Sequence, residues 1–499
     1  MKQGITRREF LAGGCAAAMI GLLTAAGLQK KSARTTGPQL RIMTYGDSDE
    51  EACARLSQAM TDLLSDRLGC AIQVEQASVS NYSARLERQM LAGNAPDVFC
   101  AYQQGELTHF VNNDLVRPMN GLHQFYQESF SQLTDEDWAC AQLNGTSFGI
   151  PARMGGSYQM AFVMRKDLCD KLGVEPESIR SMEQLHTLLM QVKKRWPDLC
   201  PVAPHFGTLD ILLGEDRLCD SLGVLPDITT DSTRIENLYA TEKYRWVCQR
   251  MHTWHLEGMI PSDAVQYEQD GAGLLATGNF FGYFTAYHPF TLRSAGRMAG
   301  TALTAAKLTD TRQMSTDQNQ LIWCISRQTK LATKAIQLLS ILFSEPEAAN
   351  LLFYGVEGED YRRVEENVFA SCTSPAEHPV SSTLWCTANQ FILADWQLDD
   401  GTLLTQEPVY APVQESPAMG FVFDSAEVQT DVDNCKKVVR KYDPALRTGL
   451  LDPDIALCHF HEELTAAGIE TVIAEKQRQL DSFLRNRELS RQISEQYDL

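Results

Sequence analysis

The segment Gly149-Ile150-Pro151-Ala152-Arg153 interrupts an otherwise regular alternation of strand and helix patterns. Pro151 fixes its own φ angle, lacks an N–H donor and biases Ile150 toward extended backbone. The segment therefore fits neither a helix interior nor a central strand. Gly149 before it and Gly155-Gly156 after it are places where the backbone can turn. An ordinary loop would show the same residues. The assignment of this segment as a crossing between two lobes therefore depends on the flanking chain.

The chain before this segment has the order strand, helix, strand, helix, strand. Apolar patterns predict strands at 40–45, 71–75 and 96–102, and Gly69 is expected to end the first helix, which begins near Glu50. The third strand pattern is short and continuously apolar, as is typical of buried parallel strands. This order predicts an open α/β sheet, whose ligands bind at the carboxyl ends of the strands.

A second unit of the same kind begins with the half-apolar run 158–165. The aromatic run 279–287 is predicted to be a strand that ends before Pro289 and forms the return crossing. A further strand at 320–326 and helices to about Leu352 then complete the first unit. The predicted division is lobe one at 39–150 plus 287–355, and lobe two at 151–286 plus 356–499.

Length and charge restrict the class of protein. A chain of 499 residues is too long for a single core. The formal net charge is −20 and is spread along the chain. Binding to nucleic-acid phosphates or to anionic lipid needs clustered Lys and Arg, so the charge pattern argues against both.

Residues 1–31 have the pattern of an export signal, and 32–38 are predicted to be a short polar linker. Thr6-Arg7-Arg8-Glu9-Phe10-Leu11 resembles a twin-arginine signal, with a general secretory signal as the alternative. The apolar run from Leu11 to Leu28 has 18 residues, long enough to remain as a membrane anchor. Cleavage, lipidation at Cys15 and retention as an anchor all stay open.

Patterns for catalysis or metal binding are weak. The 14 cysteines form no C-x-x-C pair, and we expect neither a metal site nor a cofactor. Gly145-Thr146-Ser147-Phe148-Gly149 matches the G-x-S-x-G pattern of a nucleophile elbow, but Pro151 and an extended run follow where a helix is needed. His461 lacks a second histidine four positions later, because Thr465 stands there. No enzyme activity is predicted from these patterns.

Several motifs, in their order and spacing, resemble the extracellular solute-binding proteins of ABC importers. Within that family they are similar to the large, lipoprotein-type branch with a C-terminal extension. The matching segments are Ala95-Pro96-Asp97-Val98, Leu115-Val116-Arg117-Pro118, Gly149-Ile150-Pro151-Ala152, Val163–Leu168, Tyr354–Tyr361, Gly420–Asp424, Ala467–Val472 and Gln477–Asp481.

The resemblance implies a two-lobed α/β fold of the periplasmic-binding-protein type, each lobe a sheet flanked by helices, with a hinge between them. It implies a receptor outside the cytoplasm that captures a sugar or oligosaccharide, or else a peptide, by hinge closure. The partners would then be the solute and an ABC permease, with the receptor acting as a monomer. The alternative is a secreted carbohydrate-active enzyme on a similar two-lobe scaffold.

Sugar binding needs aromatic faces against C–H surfaces and polar side chains against hydroxyls. Residues of these types follow the predicted strands, flank the two crossings or stand in the glycine-rich turn after 353. The predicted ligand-binding residues are Tyr45, Asp47, Tyr102, Gln103, Arg153, Tyr158, Tyr287, His288, Tyr354 and Glu357. The competing interpretation is lobe packing for each tyrosine and helix capping for Asp47.

Overall fold

A computed structural model describes residues 37–497 apart from a set of gaps. The gaps are 47, 79–80, 122–125, 155–158, 206–213, 268–269, 288–291, 293–294, 297, 316–320, 373–386, 398–400, 402 and 405–413. Three predicted site residues, Asp47, Tyr158 and His288, therefore lie outside the described residues, and Gln103 is described by its backbone alone. The predicted signal at 1–31 also lies outside them.

The described strands and helices are numbered in chain order. The strands are β1 Gln39–Tyr45, β2 Ala71–Ala77, β3 Val98–Tyr102, β4 Gln142–Leu143, β5 Thr146–Ser147, β6 Ile150–Pro151, β7 Gln159–Arg165, β8 Cys200–Val202, β9 Phe280–Tyr287, β10 Leu303–Lys307, β11 Arg312–Gln313, β12 Leu321–Ile325, β13 Tyr361–Glu365, β14 Val368–Ser371, β15 Asp395–Gln397, β16 Leu403–Leu404 and β17 Gln414–Glu415. The α-helices are α1 Glu50–Leu68, α2 Tyr82–Leu91, α3 Gln103–Asn112, α4 Asp135–Ala139, α5 Lys166–Leu172, α6 Met182–Arg195, α7 Glu242–Leu256, α8 Gly271–Ala276, α9 Ala332–Ser344, α10 Pro346–Tyr354, α11 Gln429–Arg447, α12 Pro453–Ala466 and α13 Ile469–Tyr497.

The first sheet forms the centre of lobe one, with strand order β2-β1-β3-β12-β6. Strands β1, β2 and β3 are parallel, and β12 is antiparallel to both β3 and β6. Helix α1 begins where the Asp49 carboxylate accepts a hydrogen bond from Ala52 N, and it ends at Gly69, whose φ is +62°. The predicted α/β unit is thus formed, and Ile150 and Pro151 add an edge strand to it.

The second sheet forms the centre of lobe two, with strand order β10-β7-β9-β8. Strand β9 lies between β7 and β8 and is mostly buried. The predicted strand at 279–287 is therefore confirmed, but its assignment as the return crossing is wrong, because it is a central strand of the second sheet. Its continuous aromatic and apolar side chains are those of a strand with both faces covered.

The predicted lobe boundaries need two corrections. Strand β10 pairs with β7 in the second sheet, so the chain returns to lobe one near Leu321 and not at 287. The small sheet β13-β14-β15-β16 packs on α10 of lobe one, where Phe369 and Trp396 share a core with Tyr354. Residues 361–372 and 387–397 therefore accompany lobe one, although the sequence assigned them to lobe two.

The C-terminal helices pack on lobe two. Phe421, Phe423, Leu457 and Leu480 belong to the same buried cluster as Phe284 of β9. Strand β11 lies on the chain between β10 of lobe two and β12 of lobe one, and it pairs in parallel with β17, which lies between β16 and the C-terminal helices. We call these two chain crossings the hinge segments. In the described part of the chain, no helix has both the length and the apolar composition needed to cross a bilayer.

The described cysteines differ in exposure, which predicts selective labelling. Cys372 and Cys458 are exposed, whereas burial raises the pKa of the Cys169 and Cys248 thiols to about 12. Such thiols hold roughly 1000-fold less reactive thiolate at neutral pH than ordinary ones. Iodoacetamide labelling followed by peptide mapping should therefore modify Cys372 and Cys458 in native protein. Cys169 and Cys248 should react only after unfolding in urea, and rapid native labelling of either would contradict the packing described.

Candidate functional site

Two tyrosines meet at the carboxyl edge of the parallel strands in lobe one. The Tyr45 ring stacks on Tyr82 with centroids 3.8 Å apart, and the Tyr102 ring approaches Tyr45 edge-on at 6.3 Å. Tyr45 is 1% exposed, whereas Tyr102 is partly exposed. Tyr45 therefore supports this edge from within, and Tyr102 presents surface to the space beyond it.

A buried carboxyl group holds the end of β3 in place. Glu106 Oε2 accepts a hydrogen bond from Tyr102 N at 2.5 Å, and the Ser83 hydroxyl donates to Glu106 Oε1. Burial raises the pKa of Glu106, and these two hydrogen bonds oppose that rise. The Glu106 carboxyl group thus holds the backbone of Tyr102 at the end of β3.

The turn after β1 is fixed by Gln76. Its Oε1 accepts a hydrogen bond from Ser48 N at 3.3 Å. A Cβ on Gly46 would lie 2.1 Å from the same oxygen, so a larger residue there would displace the Gln76 amide from Ser48 N. The backbone on both sides of Asp47 is therefore anchored at the edge where its side chain is predicted to bind ligand.

Lobe two presents a corresponding edge, where β7 begins and β9 and β10 end. Gln159 pairs with Tyr287 across the sheet. Lys307 Nζ lies 4.7 Å from the centroid of the Tyr287 ring, a cation–π contact. Gln159 Nε2 donates to Thr309 O at 3.1 Å, which fixes its side chain. The edge combines an aromatic face, a cation and an amide.

A cavity of about 200 Å³ opens beside Tyr287. Its polar lining comes from His205, Asp270, Tyr283 and Thr285, and the remainder is mostly apolar. Burial lowers the pKa of His205 and raises the pKa of Tyr283, so both are neutral at pH 7. Neutral rings of this kind can both donate and accept hydrogen bonds.

The lining of this cavity includes close contacts of the Tyr283 ring with His205 and with Gly271. The His205 ring meets the Tyr283 ring edge-on at 5.8 Å. A Cβ on Gly271, the first residue of α8, would lie 2.0 Å from the Tyr283 ring. Asp270 caps α8, because its Oδ1 accepts from Gly273 N at 2.6 Å. The capped first turn of α8 thus packs directly against the Tyr283 ring through Gly271.

Arg153 lies on the first crossing and is held by the segment 388–391. Its N–H donates to Ala388 O at 2.8 Å, and its carbonyl accepts from Gln390 N at 2.9 Å. The guanidinium lies over the Phe391 ring at 4.4 Å. Arg153 therefore has partners in the structure, and a ligand contact for it stays a prediction.

The glycine-rich turn needs a different interpretation for one of its residues. Tyr354 is 2% exposed, its hydroxyl donates to Ala394 O at 2.7 Å, and its ring stacks on Trp396. We therefore correct its predicted ligand contact to a packing role in the small sheet. Glu357 forms an ion pair with Arg363 at 3.3 Å, with both side chains about half exposed. The structure does not group Glu357 with the tyrosines of the two edges.

Ser147 does not have the geometry of a nucleophile elbow. Its side chain is buried and its hydroxyl donates to Gly149 O at 3.3 Å. Strand β6 follows it where a helix would be required. Among the described residues, no group of three His, Cys, Asp or Glu side chains is placed to hold a metal ion.

A larger groove of about 990 Å³ lies between α4 with the β4–β5 turn and α13 with segment 420–424. Across it, Asn144 Nδ2 donates to Asp424 Oδ2 at 3.0 Å. Several of its charged groups are already engaged, since Arg478 pairs with Glu475 at 2.6 Å and Arg487 donates to backbone carbonyls. Despite the groove's larger volume, we favour the strand edges as the candidate site, because open α/β sheets bind ligands there.

Sequence reasoning missed several residues of the lobe two edge. His205 follows the three-residue strand β8, which has no clear pattern of its own. Lys307 ends β10, which was assigned to the other lobe, and Asp270 is recognisable only as a helix cap. Their positions beside Tyr287 depend on strand pairing and not on local sequence.

Comparison with known proteins gives one short family match and several matches over most of the chain. Residues 417–485 match a family described as a domain of unknown function, DUF3502. A carbohydrate ABC transporter substrate-binding protein of Streptococcus pneumoniae is 23% identical over 496 residues, which is 96% of each chain.

Solved structures show the same relation. The N-glycan transport solute-binding protein NgtS of S. pneumoniae matches with a TM-score of 0.75 and 21% identity, over 90% of this chain and 100% of that one. The alginate-binding protein AlgQ2 matches with a TM-score of 0.62 and 17% identity, over 90% and 99%. The resemblance to solute-binding proteins of ABC importers and the two-lobed α/β fold are thus confirmed.

Proposed function

We propose that this protein is an exported receptor that binds an oligosaccharide between its two lobes and delivers it to an ABC permease. The observation that carries the proposal is that each sheet ends in a partly exposed aromatic side chain, Tyr102 at the end of β3 and Tyr287 at the end of β9. The similarity to carbohydrate-binding receptors over nearly the whole chain supports it. One crystal structure of NgtS contains Man5GlcNAc, and that protein shares this fold.

The chemistry of the two edges suits a sugar. A pyranose ring offers a C–H face that packs on an aromatic ring, and hydroxyls that need partners once water is excluded. Tyr102 and Tyr287 supply exposed aromatic surface, and Gln159, His205 and Asp270 supply polar groups. A cavity of about 200 Å³ accommodates a group the size of one sugar ring, with the remainder of a chain extending along the edge.

Hinge closure would bring these edges together. Closing expels water from the cleft, which strengthens each hydrogen bond between protein and sugar. We propose that Asp47, Gln103, Arg153, Tyr158 and His288 complete the lining, and that the receptor acts as a monomer outside the cytoplasm. The signal pattern at 1–31 supports export.

A thermal-shift screen tests the proposal. Purified protein would be heated with Man5GlcNAc, maltotetraose, fructo-oligosaccharides and tripeptides in separate wells. A ligand at 100 times its Kd adds about 2.7 kcal/mol to the free energy of unfolding, which raises the melting temperature by several degrees. We expect such a shift with at least one saccharide, and none with the tripeptides.

The recovered ligand separates receptor from enzyme. Mass spectrometry of the supernatant should return the saccharide unchanged after prolonged incubation. Shorter products would favour a carbohydrate-active enzyme, and a shift with tripeptides alone would replace the sugar by a peptide. Isothermal titration with the stabilising ligand should then give one site per chain.

A further inference from the structure

We propose that helix α13 positions the hinge through a buried series of polar contacts that runs from Lys476 to Ser315. A role in lobe closure rests on the proposed function, whereas the positioning of residues 308–315 by these contacts does not. The contacts join three parts of the chain that lie far apart in sequence: the C-terminal helix, the loop 214–224 and the segment between β10 and β12.

The series begins with a fully buried lysine. Lys476 is 0% exposed, and its Nζ donates to Asp220 Oδ1 at 2.5 Å and to Gly223 O at 3.1 Å. The same ammonium lies 4.9 Å from the Phe423 ring centroid. Gly223 also packs closely on Ile235, since a Cβ there would lie 2.8 Å from Ile235 Cγ2. Helix α13 is thereby attached to the loop at one charged point.

The loop itself holds an uncommon backbone. Leu218, Cys219 and Ser221 have φ angles of +45°, +87° and +62°. Side chains disfavour this region, so each such residue persists only where its surroundings hold it. Two aspartates do so, because Asp216 Oδ1 accepts from Leu218 N at 3.2 Å and Asp220 Oδ1 accepts from Leu222 N at 3.1 Å. Backbone outliers of this kind cluster at ligand clamps and switch regions.

The other end of the loop binds the hinge segment. Asp216 is 0% exposed, and it accepts from Ser315 N and from the Ser315 hydroxyl, each at 2.8 Å. Arg312 also rests on the loop, because a Cβ on Gly214 would lie 1.8 Å from its Nη1. Ser315 therefore has its position set by a carboxylate whose loop is held by Lys476.

The hinge segment that contains Ser315 is paired with a second crossing between the lobes. Strand β11 pairs with β17, and Ser416 N donates to Gln313 O at 2.9 Å. Both segments lead between the lobes, so a change at Asp216 would alter where two crossings leave lobe two. A buried ion pair is weak evidence for stability as such, and hydrophobic residues of similar volume often replace one at no cost. A positioning role accounts for its place beside the hinge.

Hydrogen exchange in the solute-free protein tests the inference. Lys476→Met removes the ammonium, and we expect the peptide covering 308–315 to exchange about tenfold faster, because its anchoring hydrogen bonds loosen. Exchange would be normalised to a peptide from β9, which reports the stability of lobe two as a whole. Ser315→Ala should produce a similar change in the same peptide.

The chain offers a matched control in Arg447. Arg447 pairs with Asp443 at 2.6 Å in the same lobe, with side chains 10% and 17% exposed, and Asp443 also accepts from Tyr244. Arg447→Met should destabilise lobe two yet change the normalised exchange of 308–315 by less than about twofold. Equal normalised effects of Lys476→Met and Arg447→Met would overturn the inference, as would no effect of Lys476→Met.

A second variant covers the case in which Lys476→Met does not fold. Asp220→Asn keeps an acceptor for Leu222 N but removes the charge that pairs with Lys476. It should accelerate exchange at 308–315 in the same way, and an unchanged rate would overturn the inference. No solute is present in either experiment, so a failed solute screen and a failed positioning role are distinguished.

Discussion

Tyr287→Ala is expected to weaken oligosaccharide binding by about 10- to 100-fold, because it removes a partly exposed aromatic ring from the end of β9. The ring is held in advance by Lys307 on one side and by the strand pair with Gln159 on the other. A sugar that packs on the Tyr287 ring therefore immobilises few protein groups that were free to move before binding. Titration calorimetry with the saccharide identified by the thermal screen would measure the change in Kd.

Two further variants show whether the ring itself is responsible. Tyr287→Phe keeps the aromatic face and should retain most of the affinity. Tyr354→Phe removes a buried hydroxyl that donates to Ala394 O, which costs about 1 kcal/mol of stability and should leave the Kd unchanged. Normal affinity of Tyr287→Ala would remove this edge of lobe two from the binding site. Weaker saccharide binding by Tyr354→Phe would return the glycine-rich turn to the proposed binding site.

The first α/β unit could be predicted from local signals. Asp49 and Gly69 bound α1 as capping residues do, and the continuous apolar run of β3 indicates a buried parallel strand. Each of these signals acts within a few residues of the element that it specifies. The unit therefore formed where the sequence predicted it, with strands β1, β2 and β3 adjacent in one sheet.

The assignment of later segments to lobes could not be predicted in this way. Strand β10 has five residues of mixed polarity, and its partner β7 lies more than a hundred positions earlier. Residues 361–372 and 387–397 join lobe one because Phe369 and Trp396 pack on Tyr354. Both outcomes follow from the fit of distant surfaces, for which a single sequence contains no local signal.

The residues of the candidate site likewise fall into two groups, those placed by local sequence and those placed by contacts with distant segments. Tyr102 ends a strand with a clear apolar pattern, so its placement at a sheet edge followed from the predicted topology. Tyr287 was predicted at a crossing, and it instead ends the central strand β9 of the second sheet. His205 reaches the cavity only because β8 pairs with β9. Tyr354 looked available from its glycine-rich neighbours, yet its ring is covered by Trp396 from a segment forty residues away. Strand ends were predictable, whereas coverage by distant segments was not.

Gly449→Ala is expected to lower the free energy of unfolding by about 3 kcal/mol or more. Gly449 follows α11 with a φ of +74°, a region that costs a residue with a Cβ about 1 kcal/mol. A Cβ there would also lie 2.2 Å from Met251 O and 2.8 Å from His252 N. These are backbone atoms of α7 and cannot rotate away, so the two helices would have to separate.

Gly173→Ala separates the two contributions. Gly173 follows α5 with a φ of +66°, and nothing lies within 4 Å of its Cβ position. That variant should lose only about 1 kcal/mol, the cost of the backbone conformation alone. Urea unfolding of both variants would measure the difference, and equal losses would mean that α7 yields to the added methyl group. His252 Nδ1 forms a 2.8 Å hydrogen bond with Gly449 O, which reinforces the close approach of α11 to α7. A larger loss of stability at Gly449 would show that this close approach helps to hold the C-terminal helices on lobe two.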